Sequence, residues 1–214
     1  MLLTFGYGSN MCFGRMKRRV ESLEFVVIGV LADFSFVLNK LSKDGSAKGN
    51  ITADQGERVF GVVYSLSETD LDALNKWEGL GDGYALRKDL QVHDLDGHQF
   101  DQPVLVYIAD PRYLVDGLWP YSWYKRHIVE GARHHELPAD YIEWLESHPA
   151  AEDPDRLRDT QERIYPCDRR LTSAERNEIQ VSRRQHSERL TDYSEYFRRL
   201  RASGRGNSSS AADE

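Results

Sequence analysis

Phe5-Gly6-Tyr7-Gly8-Ser9-Asn10 is the stretch on which the reading of this chain turns. Leu2, Leu3 and Thr4 precede it, so it reads as a short strand running into a glycine-rich turn. Met11 to Arg19 then suit a helix, with Ser9 or Asn10 as its N-cap. A strand, a glycine turn and a helix start bring several unpaired backbone N–H groups to one point. Such a point can hold an anion, or an oxygen that turns negative during a reaction. The same residues also suit a plain hairpin or strand-to-helix turn in which glycine supplies a positive φ.

The rest of the chain narrows these choices. Its 214 residues allow one or two domains and a sizeable core. A hydrophobic share of 40% and a charged share of 29% are those of an ordinary soluble protein. The net charge of −7 argues against a nucleic-acid partner. No apolar run approaches the roughly 20 residues of a bilayer span, so no membrane partner is expected. The first residues show no basic region leading into an apolar stretch, so a cytoplasmic location is expected. Cys12 and Cys167 lie far apart in the chain and point to neither a disulfide framework nor a metal cluster.

Residues 23–38 are rich in β-branched and aromatic types and predict two strands, or one long strand kinked at Gly29. A polar loop over 39–50, a short strand at 50–54 and a central strand at 58–66 follow. Ser67-Glu68-Thr69-Asp70 has the form of a capping box for a helix carrying Leu71, Leu74 and Trp77. Gly79 is placed to end that helix just after Glu78. Strands are predicted at 84–92 and 103–109, separated by a hairpin turn at 94–97. Helices are predicted over 119–132 and from Pro138 through Leu145. Strands early and helices late make an α+β pattern.

Beyond Pro149 the composition shifts to Arg, Asp and Glu. The predicted organisation is one domain over 1–149, a charged helical extension over 150–202 and a disordered tail over 203–214. Thr172-Ser173-Ala174-Glu175 resembles a second capping box, and Leu190, Tyr193, Phe197 and Leu200 form a thin apolar seam. That seam either packs on its own domain or pairs with a partner helix. Every chemical motif lies upstream, so the extension is expected to be dispensable for chemistry.

Several catalytic patterns are incomplete. Met11 stands where a dinucleotide fingerprint needs its third glycine. Ser9 lacks a G-x-S-x-G elbow, and His134-His135 lack the i, i+4 spacing of zinc ligands. Cys12, near a helix start, reads either as a nucleophile or as a small buried hydrophobe. Glu78 stands out. It closes a helix, where the macrodipole disfavours a carboxylate by about 0.3–1 kcal/mol. Beside Trp77, an apolar and dipole-opposed site should raise its pKa, as a general acid/base requires. A surface glutamate that tolerates a helix end has the same sequence.

Taken in order, Phe5 to Asn10, Val59 to Tyr64, Leu71 to Gly79, Tyr84, Tyr107, Tyr124-Lys125, Gly131-Ala132 and Leu137 to Tyr141 resemble the γ-glutamylcyclotransferase family over roughly the first 150 residues. Gly6 stands where that family commonly has Ala. The resemblance implies a small mixed sheet closing into a barrel-like domain with flanking helices and a site in its mouth. It implies cyclisation of a γ-glutamyl group to 5-oxoproline, with release of an amine or amino acid. Glu78 would be the catalytic acid/base. Phe5, Gly6, Tyr7, Gly8, Ser9, Asn10, Tyr84 and Tyr107 would bind the small-molecule γ-glutamyl substrate, with no cofactor and no metal. A γ-glutamyl amine or protein side chain would serve the same chemistry. The alternative is a non-catalytic binding module on the same fold that engages a partner through its charged C-terminal helix.

Overall fold

Leu2–Gly6 forms strand β1, and four of its five residues are buried. That burial follows from its place inside the sheet, antiparallel to β3 (Ala47–Leu66) and parallel to β6 (Val104–Ala109). The computed structural model describes residues 1–164 and Cys167. The second capping box, the 190–200 seam and the 203–214 tail lie outside the described residues.

The run after Leu23 forms one strand, β2 (Glu24–Leu41), paired along its length with β3. Register shifts at Phe25/Val27, Ala32/Phe34 and Leu38/Lys40 bend this hairpin. The loop predicted over 39–50 shrinks to five residues, because Gly49 is held in the ladder opposite Leu38. A continuous partner strand outweighs local turn propensity here. The predicted strand over 84–92 divides instead. β4 (Tyr84–Arg87) pairs with β6, and β5 (Val92–Asp94) pairs with β2 at the opposite edge.

The resulting sheet has the order β4-β6-β1-β3-β2-β5 and is open. It does not close into the expected barrel. Closure requires its two edges to pair, and these edge strands have only four and three residues.

Helix α1 is Phe13–Arg19 and α2 is Leu71–Glu78. The predicted box before α2 does not form, since the Ser67 hydroxyl meets Ser22 and Thr69 while Asp70 accepts from Ser22. The later helices are α3 (Ser122–His134), α4 (Ala139–Ser147) and α5 (Arg156–Arg163). Gly131 allows α3 to seat directly on the backbone after the glycine turn, where a Cβ would come within 2.6 Å of the Met11 carbonyl carbon. Among the described residues, no helix is long and apolar enough to cross a membrane.

The cysteines correct the sequence reading. Cys12 and Cys167 form a disulfide, with Cα atoms 4.4 Å apart. Their separation in sequence hid this, because α5 returns the chain to the start of α1, against which Glu162 and Arg15 pair.

Candidate active site

The glycine turn becomes a single 3₁₀ turn, Ser9–Met11, in which Met11 and Cys12 N–H donate to the Gly8 and Ser9 carbonyls. The first N–H groups of such a turn have no acceptor within it. Neither Ser9 nor Asn10 caps α1; Cys12 occupies that position without a side-chain bond. The Asn10 side chain has another role. Its Nδ2 donates to Glu78 Oε1 at 2.9 Å. Arg19 donates to Asn10 Oδ1 at 2.7 Å and to Glu78 Oε1 at 3.0 Å.

Glu78 ends α2 as the sequence predicts. Gly79 follows in the left-handed region at φ 63°, and the N–H groups of Gly79 and Leu80 return to the last carbonyls of the helix. The Glu78 side chain is 9% exposed. Its surroundings are not the apolar slot expected from Trp77. Two donors meet at Oε1, and among the described residues Oε2 has no hydrogen-bond partner. Trp77 instead carries the Arg18 and Arg19 guanidinium groups, 5.0 and 5.5 Å from its ring centroid. Burial, together with neighbouring Arg15, pulls Arg19 down to about 10, well above neutral pH.

The tyrosines form a frame. Tyr7 donates its hydroxyl to the Tyr107 carbonyl, and Tyr107 donates to Asn75 Oδ1 at 2.7 Å. Tyr84 donates to the Gly49 carbonyl at 2.7 Å, while Gly49 N–H donates to Tyr124 Oη at 2.9 Å. Burial raises Tyr7, Tyr84 and Tyr107, with Glu78 adding to the shift in each. All three therefore stay protonated and able to donate at neutral pH.

A cavity of about 260 Å³ is lined by Phe5, Tyr7, Gly8, Ser9, Asn10, Glu78, Tyr84 and Tyr107. Gly6 is in the sheet opposite Val62, behind this lining. Sequence reasoning missed Arg19, Lys40, Lys48 and Tyr124, which also line it. It also placed the chemistry wholly upstream of residue 150. Asp155, Arg158, Gln161 and Glu162 form part of the cavity wall.

That wall is fixed by buried charge. Glu162 pairs with Arg15 and lies 3.9 Å from Arg18 and 3.6 Å from His127. Burial alone pushes Glu162 up, but Arg15, His127 and Arg18 together hold it well below the carboxylate range. Asp153 accepts from Arg158 at 2.6 and 2.5 Å and from Trp123 Nε1 at 2.7 Å. Arg158 is buried, and its Asp153 partner, together with the Tyr121 ring 5.4 Å from its guanidinium, offsets the cost of that burial.

Residues 58–145 match the AIG2-like family. The fold aligns with a γ-glutamyl cyclotransferase structure at a TM-score of 0.65 and 22% identity, covering 84% of this chain and 98% of that one. A crystal structure from Homo sapiens aligns at 0.64 and 23% identity with the same coverage. In sequence, the chain is 26% identical to the γ-glutamylcyclotransferase of Mus musculus over 170 residues, 76% of this chain and 86% of the mouse protein. Its identity to the Homo sapiens γ-glutamylcyclotransferase is 27% over 153 residues, 68% of this chain and 77% of the human protein. The chain is thus γ-glutamylcyclotransferase-like in sequence and in fold.

Proposed function

We propose that this protein is a cyclotransferase that closes a γ-glutamyl group to 5-oxoproline and releases the attached amine or amino acid. The observation that carries the proposal is the contact between Asn10 of the Tyr-Gly-Ser-Asn turn and Glu78 at the end of α2, inside one cavity. Residues 68 positions apart are joined there around a carboxylate oriented by two donors.

In the proposed reaction the substrate's α-nitrogen attacks its own γ-carbonyl carbon. As that C–N bond forms, Glu78 takes a proton from the attacking nitrogen. As the original amide C–N bond breaks, Glu78 delivers a proton to the departing nitrogen. Oε2 is the oxygen suited to this exchange, because Oε1 is engaged by Asn10 and Arg19. N–H groups of the turn after β1, from Gly8 to Asn10, are the donors offered to the negative charge that develops on the carbonyl oxygen. Tyr7, Tyr84 and Tyr107 hold the substrate in a folded shape. Ring closure is intramolecular, so positioning and one proton shuttle supply most of what the reaction needs.

Release of 5-oxoproline from a panel of γ-glutamyl amino acids and γ-glutamyl amines tests the proposal. Turnover of at least one compound is expected, and none across the panel would defeat it.

A further inference from the structure

Lys40 lies on β2 and is 8% exposed, yet it lines the cavity. Its ammonium rests 5.1 Å from the Tyr84 ring centroid and 5.6 Å from that of Tyr113. Among the described residues it makes no hydrogen bond and no ion pair. The other cations around it differ in this respect. Arg15 pairs with Glu162, Arg19 with Glu78, Lys48 with Asp44 at 2.6 Å, Arg158 with Asp153, and even exposed Lys43 lies 3.5 Å from Asp82.

A buried ammonium without an acceptor is costly, since its hydration is lost and no counter-charge replaces it. Burial, reinforced by Lys48, pulls Lys40 down to about 8, so it remains largely charged at neutral pH. Two ring faces are a partial substitute for a carboxylate. They favour the cation while leaving its hydrogen-bond donors unused.

The position also indicates which part of a ligand Lys40 would meet. Tyr113, beside the ammonium, bonds Asp82, whose side chain is 65% exposed. Lys40 therefore sits towards the open end of the cavity. The cyclising group must reach Glu78 and the glycine turn, so the departing half of the substrate points to this end.

We infer that Lys40 is a specificity-determining residue that binds a carboxylate on the leaving group. The ligand class is a γ-glutamyl compound whose departing amine is an amino acid or a peptide, rather than an uncharged or cationic amine. This inference rests on the cyclotransferase reading.

Its test compares γ-glutamyl-alanine with γ-glutamyl-ethylamide, which differ only in the leaving group's carboxylate. The kcat/KM of the wild type should favour γ-glutamyl-alanine by about 10–100-fold, the range of one charge-assisted hydrogen bond. Lys40→Met should bring the ratio to within about threefold of unity, and Lys40→Arg should retain most of it. A Lys40→Met protein that keeps the preference, or loses both activities in equal proportion, overturns the assignment. If the wild type turns over neither compound, the cyclotransferase reading fails on its own. Calorimetric affinities for the same pair then decide the subsite. A preference for the carboxylate compound that Lys40→Met abolishes upholds it, and equal or absent binding of the two compounds overturns it.

Discussion

The Asn10 amide donates to the Glu78 carboxylate at 2.9 Å, joining the turn after β1 to the last residue of α2. Arg19 contacts both groups, so the three side chains form a closed triangle with Oε1 at its apex. Asn10→Ala removes one donor to the carboxylate and one acceptor for the guanidinium. The expected outcome is a fall in kcat of about 10–100-fold with retained folding, read by 5-oxoproline release, because a displaced catalytic group acts at the wrong angle. Ser9→Ala, which keeps the backbone N–H groups, should cause a smaller loss. Equal and negligible effects of both changes would separate the turn from the chemistry.

Helix α5 is expected to be necessary for turnover. Ending the chain at Pro154 removes Arg158, Gln161 and Glu162 from the cavity wall and leaves Arg15 without its carboxylate. The single change Glu162→Gln should lower unfolding free energy by about 3–5 kcal/mol, the cost of an uncompensated buried charge. Urea denaturation measures it. A shortened protein with full turnover would show that the wall is only packing.

The disulfide constrains the same region from the other side of the turn. Removing it by Cys12→Ser should lower stability by about 2–4 kcal/mol under oxidising conditions. The cost should vanish when both proteins are compared with reductant present. Peptide mapping without reduction checks the bond directly, and recovery of both cysteines as free thiols from the oxidised protein would contradict it.

His127 makes stability pH-dependent. Burial pulls its pKa from 6.5 down to about 4, so between these values the unfolded chain binds more protons than the folded one. Its contribution is fully present above about pH 6.5 and is lost as pH falls towards 4. The loss amounts to roughly 3 kcal/mol at most. The Glu162 pKa is held low, which adds a further loss below its ordinary value of 4.5. Urea unfolding followed from pH 7 to pH 4 should show a steady decline that His127→Gln flattens.

What the sequence revealed was what local chemistry controls. Gly79 ends α2 because only a residue tolerant of positive φ fits there, and that placed Glu78 correctly at the helix end. The glycine turn was legible too, although neither Gly6 nor Gly8 takes the positive φ considered for it, Gly8 lying at φ −113° and ψ −133°. The environment of Glu78 was not, because Arg19 reaches it across 59 positions and no periodic pattern encodes that contact. Lys40 looked like a loop residue, since the Ser42–Ser46 connection was read too wide. The open sheet was hidden by the apparent continuity of 84–92, whose two ends join opposite edges. The charged composition after Pro149 read as a helical extension dispensable for chemistry, whereas Arg158 and Glu162 line the cavity and use their charges in buried pairs.

The most direct measurement is turnover by Glu78→Gln. Gln keeps the shape and can still accept from Asn10 and Arg19, but it cannot carry a proton between the two nitrogens. The account predicts that 5-oxoproline release from γ-glutamyl amino acids falls by about 10²–10⁴-fold while circular dichroism shows a folded protein. Stability should fall by about 1–3 kcal/mol, because Arg19 loses its counter-charge. A folded Glu78→Gln protein with the turnover of the wild type would contradict the mechanism.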